Sequence, residues 1–212
     1  MNPMLFFISC LVFLLIFLYA EKIHSSLGIW IGKSGASLSF VMAGYTYNAL
    51  ASTYGQMLFI ALILCLLGDI LLIPNDKKVF ILGIFSFLVA HLAFVLAFLK
   101  LDVELNMNWF FATLFIEAFI ATAVLRYLWH HLTPEFKVPV LAYITIICAM
   151  VAVAAGVSGA GAKSGILLAA IMFFLSDLAV ARQRFVKAEF INKLIGLPLY
   201  YGAVLLFITT LS

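Results

Sequence analysis

Charge is what this 212-residue chain has least of: 10% of its residues are charged, against 67% that are hydrophobic, and its mean hydropathy is +1.24. A soluble domain carries about 25% charged residues, so a water-soluble fold is excluded. Cysteine is scarce as well. Cys10, Cys65 and Cys148 sit singly in apolar runs without CxxC spacing, which excludes a disulfide framework and a thiolate metal site. The twelve basic residues are scattered and leave a net charge of only +3, so there is no nucleic-acid footprint. The sequence also lacks a P-loop, a dinucleotide fingerprint and a GxSxG elbow. Only one histidine, His91, falls deep in an apolar run, whereas a catalytic zinc takes three protein ligands. No metal and no cofactor is expected.

What the chain has is apolar runs, and each transmembrane helix needs about 20 such residues. Eight runs, at approximately 3–20, 34–51, 57–73, 79–99, 108–128, 138–156, 164–181 and 193–211, predict an all-α polytopic bundle. The loops left between them are short, so residues 1–212 are expected to form one integral membrane domain whose general partner is the lipid bilayer. The first run has no basic segment before it and ends at Glu21 without a small-residue cleavage site, which reads as a retained helix rather than a signal peptide. The stretch from Ala154 to Ala162 is built of small residues and reads as a packing seam and tight turn.

Ten basic residues, Lys22, Lys33, Lys77, Lys78, Arg126, Lys137, Arg182, Arg184, Lys187 and Lys193, fall on the odd-numbered loops, and only Lys100 and Lys163 on the other side. That bias places the odd loops in the cytoplasm and both termini outside. The compact loops suit a bacterial inner-membrane protein.

An internal echo marks the chemistry. Leu66-Leu67-Gly68-Asp69 closes the third run, and Phe174-Leu175-Ser176-Asp177 closes the seventh, 108 residues later. Each is followed by a short charged loop and a helix with a polar group near its middle: His91 in one half, Tyr200 and Tyr201 in the other. Four helices per half would make a parallel repeat about an axis along the membrane normal. Ionisable groups inside a span are costly and mark function by default. Lys33, at the mouth of the second run, shares the depth of Asp69 and Asp177, so the three are expected to converge on a cavity. The plainer reading of each aspartate is a structural ion pair near the interface; that of His91 is a hydrogen-bonded packing histidine. Glu117 reads equally as a neutral buried acid, and His130 and His131 beside Trp129 as interfacial anchors.

From these residues alone, two functions stay open: carboxylate acid/base catalysis, and proton- or cation-coupled transport. A non-catalytic lipid-binding protein is a third, weaker possibility. Leu67-Gly68-Asp69-Ile70-Leu71-Leu72, then Phe80, Gly83, Phe87 and His91, resembles the YhhN-like family of eight-helix membrane proteins, as do Phe174-Leu175-Ser176-Asp177-Leu178, Arg184-Phe185 and Tyr200-Tyr201. Animal members are lysoplasmalogenases and bacterial members are similar. The resemblance implies hydrolysis of the vinyl-ether bond of a lysophospholipid, giving a fatty aldehyde and glycerophosphoethanolamine or glycerophosphocholine. It implies Asp69 and Asp177 as the catalytic pair, Lys33 or Arg184 on the phosphate, and His91 or Tyr200 orienting water, with Ser176 and Tyr201 beside them. The sequence does not say which aspartate is the acid.

Overall fold

The computed structural model describes residues 3–211. Eight α-helices run in order: α1 (Pro3–Lys22), α2 (Ser26–Thr46), α3 (Thr53–Leu71), α4 (Lys77–Phe98), α5 (Met107–Trp129), α6 (Pro134–Gly159), α7 (Gly165–Ala181) and α8 (Phe190–Thr209). Among the described residues there is no strand. Seven helices are long and apolar enough to cross a bilayer, so this is a multi-pass membrane protein. α2 is long enough at 21 residues, but Lys33, Ser34, Ser37 and Ser39 lower its hydropathy.

Local signals set the helix ends. Ser25 caps α2 by accepting from Gly28 N–H, Ser52 caps α3 through Gly55 N–H, and Asp76 caps α4 through Lys78 and Val79. Pro134 begins α6, where its missing N–H costs nothing. These caps correct the second run. It was expected at 34–51 with Lys33 at its mouth, yet the helix starts at Ser26 and places Lys33 two turns inside, buried. The lysine read as a loop residue because it is charged; its counter-charge lies on another helix. The same run ends early, at Thr46, because Asn48 adopts a left-handed backbone (φ 57°) and residues 49–51 form a single 3-10 turn. The other seven differ from expectation by a few residues at their ends. The largest extensions are the four residues added at the starts of α3, which Ser52 caps, and of α6, which Pro134 begins.

The two halves pair alike. α1 packs on α2 and α3 on α4, as α5 packs on α6 and α7 on α8; α2 meets α3 as α6 meets α7. Across the halves, α4 meets α6 and α8 meets α2, while α1 also lies against α8. These pairings are the ones that two parallel four-helix repeats would make. The small-residue stretch forms the seam expected of it. A Cβ on Gly156 would lie 2.5 Å from Leu105 Cδ1, and one on Gly159 would lie 2.5 Å from Trp109 Cγ.

Between α1 and α2 a glycine meets backbone rather than a side chain. A Cβ on Gly32 would lie 2.6 Å from the Phe17 backbone nitrogen. Backbone cannot yield as a side chain can, so Gly32→Leu is expected to cost at least about 1–3 kcal/mol through overpacking. Thermal unfolding in detergent measures this, with Gly161→Ala as the contrast: Gly161 has open space around it, so only its φ of +97° opposes a side chain.

Candidate active site

α3 and α7 each end near a carboxylate, and the two carboxylates line one cavity, which together with the open space at its mouth has a volume of about 1000 Å³. Its walls come from α2 through α8 and are mostly Phe, Leu, Ile and Val, with Leu72, Phe80, Val124, Leu128 and Phe185 towards the loop end. Of the polar residues singled out from the sequence, Lys33, Asp69, Ser176, Asp177, Arg184 and Tyr200 line it. His91 and Tyr201 do not; they stand one layer behind, nearly inaccessible.

The two aspartates have different surroundings. Asp69 Oδ2 accepts from Ser37 Oγ at 2.6 Å and from Tyr200 O–H at 2.7 Å. Its Oδ1 is 3.5 Å from Lys33 Nζ. Tyr201 O–H stands behind Ser37, 3.2 Å from its Oγ. An ammonium group and two hydroxyl donors around one carboxyl form an environment made for an anion. Asp177 Oδ2 accepts from Tyr143 O–H at 3.0 Å and lies 3.5 Å from His91 Nε2, with no Lys or Arg in ion-pair distance among the described residues. Its side chain is 17% exposed against 4% for Asp69, so it is the more open of the two to the cavity.

The partners follow the repeat. Asp69 takes Lys33 and Ser37 from α2 of its own half and Tyr200 from α8 of the other. Asp177 takes Tyr143 from α6 of its own half and His91 from α4 of the other. Sequence reasoning missed Ser37 and Tyr143, and signals for both exist. Ser37 is one turn after Lys33 on the same helical face. Tyr143 minus the 108-residue offset gives position 35, between Lys33 and Ser37.

Ser176 turns its hydroxyl back to Phe173 O at 2.7 Å, so it lines the wall without an open donor. Arg184 lies in a π-helical turn, Arg182–Val186, that continues α7. Its guanidinium is 4.0 Å from the centroid of Phe80, at the exposed rim, and it pairs with no carboxylate among the described residues. The neighbouring loop is tied down instead. Arg182 bonds Glu189 and Asn192, and Gln183 Oε1 accepts from Glu189 N–H and Asn192. Hydrogen bonds from Lys187 and then Arg182 hold the Glu189 carboxyl below its usual range. Glu117 is buried on α5 but not on the cavity, and His130 and His131 lie exposed at the far end of that helix.

This arrangement supplies one carboxyl with a fixed counter-charge and one without, in an apolar chamber with the Arg184 guanidinium at its rim. Comparisons with curated proteins and with solved structures find no match for the chain. The model of the YhhN family matches residues 4–211, nearly the whole chain and both aspartate motifs, and the chain belongs to that family.

Proposed function

We propose that this protein is a lysoplasmalogenase-like hydrolase that cleaves the vinyl-ether bond of single-chain phospholipids, with its odd-numbered loops facing the cytoplasm of a bacterial cell. The observation that carries the reading is the unequal pair: Asp69 beside Lys33 and Asp177 without a cation, on one apolar cavity. A vinyl ether hydrolyses by protonation of its outer alkene carbon, which leaves an oxocarbenium ion. One protonated and one ionised carboxyl serve that cation as they do in glycosidases. Asp177 is the acid in this reading. The alkene π pair takes its proton, and the O–H pair stays on the carboxylate, where Tyr143 donates to it.

Asp69 then faces the cation and takes a proton from the water that adds to it. The hemiacetal collapses when the glycerol oxygen leaves with that proton and the hemiacetal hydroxyl returns one to Asp177. Both aspartates end as they began, and the products are an aldehyde and a glycerophospho-base. Lys33 is engaged with Asp69, so the substrate phosphate falls to Arg184 at the rim. Tyr200 borders the water side of Asp69. YhhN membership supports the same chemistry through the resemblance already noted.

The test uses purified protein in detergent, with vinyl-ether, acyl and saturated alkyl lysolipids. Aldehyde is expected from the vinyl ether alone, because a saturated ether offers no π pair to protonate. Turnover of the acyl lipid without the vinyl ether would overturn the substrate. Absence of turnover together with solute flux in sealed vesicles would replace the enzyme by a transporter.

A further inference from the structure

The mechanism leaves one buried group unused. His91 is 1% exposed, and its Nε2 has no hydrogen-bond partner among the described residues. Its Nδ1 is 2.6 Å from the carbonyl oxygen of Phe87. A carbonyl only accepts, so Nδ1 carries a hydrogen, and in the neutral ring Nε2 is then a bare acceptor. That lone pair faces Asp177 Oδ2 at 3.5 Å.

With a bare carboxylate opposite it, Nε2 would stay buried and unsatisfied against a second acceptor, whereas one hydrogen between the two gives it a partner. The ring has little freedom to turn away: it packs edge-on against Tyr143, centroids 5.2 Å apart, and Phe173, 4.7 Å apart. Among the described residues, the titratable groups shown facing it are Asp177 and Tyr143. Tyr143 already directs its hydrogen to Oδ2. The hydrogen bound for Nε2 is therefore the carboxylic one.

We propose that His91 is a positioning residue for the acid: its bare Nε2 holds the proton of Asp177 on Oδ2 while the cavity is empty. Hydrogen bonds at catalytic pairs are often long in an empty site and tighten when it fills, so 3.5 Å marks a contact poised to close. When an alkene carbon arrives, the hydrogen swings about the Cγ–Oδ2 bond from Nε2 to that carbon. The C–H bond forms from the π pair, and the O–H pair remains on Oδ2. This rests on the reading of Asp177 as the acid, but the placement of the proton is measurable without any substrate.

Two measurements decide it. Nitrogen-15 spectra of histidine-labelled protein are expected to show His91 with hydrogen on Nδ1 and none on Nε2; a doubly protonated ring overturns the proposal. Infrared difference spectra of wild type against Asp177→Asn are expected to contain a carboxylic carbonyl band from Asp177. That band should move to higher frequency in His91→Phe, which removes the acceptor, and stay near its wild-type place in His91→Gln, which keeps one. No such band in wild type, or an unmoved band in His91→Phe, overturns it, and the nitrogen-15 result stands if His91→Phe does not fold. In turnover, His91→Phe should lose about tenfold or more in kcat at unchanged KM, a fraction of the 10²–10⁴-fold that a general acid supplies. His91→Gln should recover most of that loss. Wild-type protein inactive on vinyl ethers would remove the proposed function and leave the spectra to judge the proton.

Discussion

Asp69→Asn and Asp177→Asn each lower kcat on a vinyl-ether lysolipid by at least about a hundredfold, the lower end of what one general acid or base contributes. The double variant falls little further, since members of one catalytic unit are strongly non-additive. All three stay folded, because asparagine is nearly isosteric and can use the same hydroxyl donors from Ser37, Tyr200 and Tyr143, but the two that carry Asp69→Asn unfold at a lower temperature, since they leave the buried Lys33 without its counter-charge. Wild type gives a bell-shaped pH profile: activity fails at high pH, where Asp177 gives up its proton, and at low pH, where Asp69 gains one. The two apparent constants belong to the pair. Steady-state kinetics with size-exclusion profiles check this. Wild-type turnover in a monodisperse single variant removes that aspartate from the chemistry.

The second large effect is on stability. Lys33→Met leaves the Asp69 carboxylate buried without its counter-charge, and breaking a buried pair in this way costs about 3–5 kcal/mol. Replacing both partners is far cheaper, so Lys33→Met with Asp69→Asn should recover most of the loss in thermal unfolding while remaining inactive. A double-mutant cycle isolates the coupling. Additive losses would mean that the 3.5 Å contact contributes nothing to the fold, and that Asp69 relies on its hydroxyl donors alone.

Eight helices were legible in the sequence because a bilayer demands long apolar runs and the loops here are too short to blur them. Orders and motifs were legible too: the two aspartates recur at the same depth of equivalent helices, and the structure puts both on one cavity. Partnership was not. Lys33 looked like a loop residue because hydropathy penalises a charge without seeing the carboxylate that meets it from α3. Ser37 and Tyr143 are ordinary neutral residues in apolar helices, and only the tertiary pairing of α2 with α3 and α6 with α7 gives their hydroxyls a target. Glu117 illustrates the converse. As an ionisable group inside an apolar run it invited the same reading as the aspartates, but it is buried off the cavity.

The crossed pattern of partners has a consequence for the division of labour. Each aspartate is finished by a helix of the opposite half: Asp69 by α8 and Asp177 by α4. Two identical four-helix halves, joined as a symmetric dimer, would surround both carboxyls with the same neighbours and give them the same affinity for a proton. Such a pair has no donor and no anion until chance protonation chooses one. Covalent fusion lets one half keep an ammonium group on its second helix while the other carries a phenol at the matching level, so the asymmetry is written permanently into the chain. Neither half contains a complete chamber: the half that ends at Phe98 lacks the Tyr200 that donates to Asp69, and the half that begins at Met107 lacks the His91 that stands beside Asp177.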